Sequence, residues 1–116
     1  MAYEVPGYAF SRVADVAVGI PQYTAVVIDD AEGLAVATAA EAIDGIVQMP
    51  VMDDVVEAVR VMKSGISFAI ASEAITEGDE LEVDANGEMS VLAAGVKVAT
   101  ALTGGAENEL ISVLLV

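Results

Sequence analysis

Residues 51–63 read Val-Met-Asp-Asp-Val-Val-Glu-Ala-Val-Arg-Val-Met-Lys, and the class of the fold turns on them. Val51, Met52, Val55, Val56, Val59 and Met62 recur at helical spacing, with Asp53, Asp54, Glu57, Arg60 and Lys63 opposite. Pro50 before the stretch and Gly65 after it suit helix ends. Against this, Val is abundant here, and its β-branched side chain favours strands. Local pattern alone slightly favours helix over strand.

On either side the chain reads as short strands separated by turn signals, the grammar of a small all-β domain. Residues 23–28 are apolar and β-branched, residues 29–33 (Asp-Asp-Ala-Glu-Gly) form a turn, and residues 34–38 return. Residues 45–49 form a short run closed by Pro50. Ile66, Phe68 and Ile70 alternate with small residues, and Leu81 and Val83 alternate with acids. Asn86-Gly87 predicts a tight hairpin turn with positive φ angles, with Met89 and Val91 inward on the returning strand. Residues 96–102 and 110–116 flank a turn at 103–108. The final run is apolar on both faces, as a central or partner-covered strand would be. Residues 25–47 and 81–98 echo each other as strand, acidic turn, strand, small-residue linker, glycine, strand. Two such units predict a pseudo-symmetric small barrel or sandwich of antiparallel strands and hairpins.

The N-terminal segment differs. Tyr3, Val5, Tyr8 and Phe10 alternate around Pro6-Gly7, and four of the five aromatics fall by position 23. Two readings arise: an edge strand, or an extended arm whose aromatics dock on a partner. The expected division is residues 1–19 as arm or edge strand and 20–116 as a single β domain.

Composition narrows function. In 116 residues there are 19 acidic and 4 basic side chains, a net charge of −15, with no Cys and no His. Phosphate binding needs clustered Lys and Arg, so nucleic acid and anionic membranes are poor partners. Without Cys there is no disulfide or thiolate site, and without His most acid–base and transition-metal chemistry is missing. The start carries no basic and apolar leader pattern, and no apolar run approaches a membrane span. No catalytic residue, cofactor or metal site is expected. Asp84 to Glu88 faintly resembles a calcium loop but lacks its ligand register, and a hairpin accounts for the same residues. Met62-Lys63 faintly resembles the Met-Lys-Met of biotin-carrier domains, although Ser64 follows. A biotinyl-type carrier module using Lys63 is therefore one alternative, and an accessory β domain of an acidic surface protein is another.

A wider resemblance spans about residues 20–116. Ala74-Ile75-Thr76-Glu77-Gly78-Asp79-Glu80-Leu81-Glu82-Val83-Asp84, followed by Asn86-Gly87, resembles a stretch of the tailed-phage capsid decoration (cement) proteins. These are small all-β head proteins, some mislabelled as recombinase-like. Residues 95–102, a Gly-containing turn and residues 109–116 resemble that family's closing strands. Val59-Arg60-Val61 to Gly65-Ile66-Ser67-Phe68 resembles another of its stretches, whereas Tyr8 after Pro6-Gly7 departs from its usual start. The resemblance implies strand over residues 55–62. It also implies a non-enzymatic structural protein on the outer surface of an assembled phage head. Such a protein binds the major capsid protein as a trimer, clamps neighbouring subunits and needs no cofactor. On that reading Tyr3, Val5, Tyr8 and Phe10 are the expected capsid-binding residues, and Leu114, Leu115 and Val116 the expected subunit contacts.

Overall fold

The structure, a computed structural model, describes residues 5–115, and their side chains from residue 7 onward. Tyr3 and Val116 lie outside the described residues, as does the side chain of Val5. The described chain is all-β. Its strands are β1 (Val5–Pro6), β2 (Ala9–Ala14), β3 (Ala25–Asp29), β4 (Gly33–Val36), β5 (Gly45–Val47) and β6 (Glu57–Met62), followed by β7 (Gly65–Ile70), β8 (Glu80–Val83), β9 (Met89–Val91), β10 (Ala99–Ala101) and β11 (Leu110–Leu115). They form two antiparallel sheets. One runs β2-β6-β5-β3-β4; the other runs β7-β11-β10-β8-β9, with β1 added outside β7.

The two orders are the same order. Replacing β2 to β6 by β7 to β11 converts one sheet into the other, so the chain is a tandem duplication of a five-stranded unit. The echo between residues 25–47 and 81–98 holds for its hairpins, β3–β4 and β8–β9, but its last strand is misplaced. β3 pairs with both β4 and β5, as β8 pairs with both β9 and β10, and β10 is Ala99–Ala101, whereas residues 95–98 are not strand. Both sheets also curl until their ends meet. The Asp15 amide donates to the Glu32 carbonyl (2.8 Å) beside β4, and the Ser72 amide to the Met89 carbonyl (2.8 Å) of β9. Arg12 reinforces the first closure through its Nε–H to the Gly33 carbonyl (3.1 Å). Gly33 has φ 85°, and a Cβ there would meet the Val13 carbonyl.

Four equivalent turns join the strands inside these units. Ile20 bridges Val51, and Ile75 bridges Gly105. Three residues after each of these four positions the backbone is left-handed, at Tyr23 (66°), Asp54 (53°), Gly78 (91°) and Asn108 (69°). Their amides donate to the carbonyls of Val47, Val16, Ala101 and Ala71 respectively, at 2.7–2.9 Å. The turn at residues 51–54 is one of this set, so residues 51–56 are not helical and strand begins at Glu57. The helical spacing there misleads because each turn is anchored by a chain segment far away in sequence.

Alternation sends neighbouring side chains into two cores. Ala25, Ile46 and Met62 join Leu81, Val83, Met89, Ile111, Val113 and Leu115 between the sheets. Val26, Val47, Val59 and Val61, with Val16, Ile20 and Leu34, fill the curl of the first sheet. A sheet buried on both faces needs apolar residues at both parities, which is why residues 23–28 and 45–49 read as continuous apolar runs. The folded surface of 5667 Å² is close to the roughly 5,900 Å² expected for this mass.

Three expectations are revised. The N-terminal segment is no detached arm where it is described: β1 pairs with β7, and β2 pairs with β6 along its whole length, so both are edge strands. The hairpin at residues 84–88 uses positive φ at Gly87 alone, because the Asp84 carboxylate accepts the amides of Asn86 and Glu88 (both 2.9 Å) and sets the turn by itself. Met89 is buried as expected, but Val91, near the free end of β9, is 40% exposed.

Candidate docking site

Tyr8 and Phe10 come together at the corner where the chain leaves β1 in one sheet for β2 in the other. The Tyr8 amide donates to Ser64 Oγ (2.9 Å), and the Tyr8 carbonyl accepts from the amides of Lys63 (2.8 Å) and Ser64 (3.2 Å). Gly7 permits this approach, since a Cβ would lie 2.8 Å from the Ser64 carbonyl oxygen. The two rings lie 6.4 Å apart at 33°. Tyr8 is 59% exposed, an unusual position for an aromatic already held by its backbone.

These rings line an open depression of about 340 Å³ together with Ile28, Asp44 and Lys63. Asp44, just before β5, accepts the Ile28 amide near the end of β3 at 2.7 Å, beyond the last β3–β5 pair. The depression thus has an apolar aromatic wall with one carboxylate and one ammonium on its rim. It has the dimensions to seat a side chain or short loop of another protein. Sequence reading found the two aromatics from their alternation. It missed Ile28 and Asp44, which arrive from β3 and the approach to β5. Lys63 sits at the corner between β6 and β7 rather than on a projecting hairpin tip.

The C-terminal expectation divides by parity. Leu115 is 7% exposed and belongs to the core, so it offers no surface to a subunit. Leu114 faces outward with Leu110, opposite Ile66 and Ile70 of β7. On this outer face of the second sheet the residues of β7 and β11 are uncharged, and across Thr100 the face continues to Glu80, which pairs with Lys97 at 3.3 Å. Among the described residues no group of His, Cys, Asp and Glu is placed to hold a metal. Asp84 is committed to its turn.

The ionisation of the Glu88 carboxyl is perturbed. Partial burial, then the charges of Asp84 and Glu107, push its pKa above the ordinary value.

Fold and site together define a duplicated two-sheet β module with an open, aromatic-walled depression at one corner. No protein-family model matches the sequence, and no curated protein matches it. Among solved structures the chain is similar to the head fiber gp8.5 N base of bacteriophage phi29. The match covers 94% of this chain and 95% of that one, with a TM-score of 0.83 and 15% sequence identity. At that identity the likeness establishes a shared fold.

Proposed function

We propose that this chain is a structural protein of a phage particle, attached to the outer surface of the head, with no catalytic role. The observation that carries the proposal is the end-to-end likeness to a phage head fiber base. The resemblance of residues 74–87 and 95–116 to capsid decoration proteins points the same way independently. Tyr8 and Phe10 are the proposed contact with the major capsid protein, in line with the enrichment of aromatics at binding hot spots. Tyr3 and Val5 complete that set from the adjoining segment. Clamping neighbouring capsid subunits and forming a homotrimer belong to the same proposal. Leu114, exposed beside Leu110 on the uncharged β7–β11 part of its sheet, is the residue best suited to contact another copy. Several weak contacts per assembly would hold it firmly through effective concentration.

Co-sedimentation with expanded, undecorated heads of the cognate phage tests the proposal, with light scattering of the free protein alongside. Saturable binding at a fixed ratio to the major capsid protein is expected. Absence of binding to intact expanded heads would remove the proposal.

A further inference from the structure

A second surface lies at the other end of β2 from Tyr8. Val13, Val18, Met52, Val55 and Val56 are all 45–79% exposed there. Two loops bring them together. Ile20 and Val51 exchange backbone hydrogen bonds (2.9 and 2.8 Å), the Asp54 amide donates to the Val16 carbonyl (2.8 Å), and the Gly19 amide donates to the Asp53 carboxylate. Val13 joins them through its pairing with Ala58. The surface is therefore held in place before any partner arrives, which lowers the entropic cost of binding.

The duplication shows that the turns do not require three of these side chains. The second unit builds the equivalent pair of turns with Glu73 where the first has Val18, Ala106 where it has Met52, and Glu109 where it has Val55, on the same backbone hydrogen bonds. Val56 and Val13 are matched by the apolar Leu110 and Phe68, so the first unit keeps the apolar pair and adds three apolar groups around it. A contiguous exposed apolar patch rimmed by polar residues, beyond what its turns need, marks an interaction site.

Its rim is acidic. Asp15, Glu32, Asp53, Asp54 and Glu57 belong to the same two loops and the ends they tie to. Arg12 is turned away, donating to the Gly33 and Asp29 carbonyls. A second copy of this chain would bring like charges together at this rim, whereas opposite charges steer and orient a partner.

We infer that the end of the molecule formed by residues 13–20 and 51–58 is a docking surface for a protein with an apolar centre ringed by Lys and Arg. It rests on the proposed function only for the partner's identity: a clamp needs two contacts, and this would be the second, across the length of β2 from Tyr8 and Phe10.

The test is a titration of the isotope-labelled full chain followed by amide chemical shifts. The probe is a synthetic peptide with a Leu-Val-Leu centre flanked on both sides by Arg pairs; the control carries Glu in place of Arg. Shifts confined to residues 13–20 and 51–58, lost with the Glu peptide and weakened by salt, are expected. The double variant Val18→Asp/Val56→Asp, altered only at exposed positions, should fold normally and bind the Arg peptide at least about tenfold more weakly. Shifts centred on Tyr8 or Leu114, no shifts, or equal binding of the Glu peptide would each overturn the inference. A parallel co-sedimentation separates the two proposals. Heads that bind neither wild type nor variant count against the phage-head function alone. Heads that bind both equally count against this surface as the clamp's second contact.

Discussion

The four equivalent turns make a sharp prediction about backbone conformation. At Gly78 φ is 91°, and a Cβ built there meets no atom within 4 Å. Gly78→Ala therefore introduces no clash, loses no contact and tests the left-handed backbone alone. The left-handed region costs a residue with a Cβ about 1–2 kcal/mol. With about 2.1 cal/mol/K per residue of unfolding entropy, this chain loses about 4 °C of Tm per kcal/mol, so Gly78→Ala should lower Tm by about 4–8 °C. Asn occupies the equivalent position 108 at φ 69°. Gly78→Asn should then lose less than Gly78→Ala, because Asn tolerates this region through local hydrogen bonding. Thermal melts and urea titrations by far-UV circular dichroism, analysed as two-state transitions, measure both. A Gly78→Ala loss below about 0.5 kcal/mol, the lower end of ordinary Gly–Ala differences, would refute the reasoning, as would Asn costing more than Ala.

Other expectations follow from the same structure. Gly33→Ala carries the same backbone cost plus a collision with the Val13 carbonyl, so its Tm should fall further than that of Gly78→Ala. Glu88 has a raised pKa, so the folded state holds its proton more tightly than the unfolded chain. Stability from this group is present below the ordinary carboxyl pKa of 4.5 and is lost as pH rises through the folded value. Glu88→Gln should accordingly be more stable than wild type at neutral pH, with the advantage fading in melts below that pH. Deleting residues 1–10 would remove β1 and the start of β2, so loss of head binding in that truncation would report unfolding; Tyr8→Ala is the cleaner variant, expected to keep the wild-type melt and lose head affinity by at least about tenfold. Leu114→Asp should leave the core intact and abolish any trimer seen by light scattering, and a trimer that survives it would move the subunit contact elsewhere.

Much of this architecture is legible in the chain. Alternation at residues 66–70 and 80–84, the Asp-Ala-Asn-Gly turn at 84–87 and the doubly apolar run at 110–116 are local signals, and each became the element it resembles. β11 lies in the middle of its sheet, between β7 and β10, as a strand apolar on both faces must. The echo of residues 25–47 in 81–98 announced the repeated hairpin, because neighbouring strands with short connections pair; it put the third strand of the second copy at 96–98, where the structure has it at 99–101. The aromatics Tyr8 and Phe10 were visible as an alternating pair.

Tertiary structure decided what depended on distant partners. The stretch at 51–56 has a helix's spacing, yet its backbone amides are claimed by Val16 and Ile20, more than thirty residues earlier, and no local window contains that competition. The N-terminal aromatics looked the same whether free or paired; pairing with β6 and β7 decided it. At the C-terminus, period two divided adjacent leucines, sending Leu115 into the core and Leu114 outward, but which parity faces the core is set by the sheet that packs against it. The apolar end at Val18 and Val56 emerged only when two loops were zipped together. Patterns of side chains determine the elements; hydrogen-bond partners and packed faces, drawn from far along the chain, determine which residues remain exposed to meet another molecule.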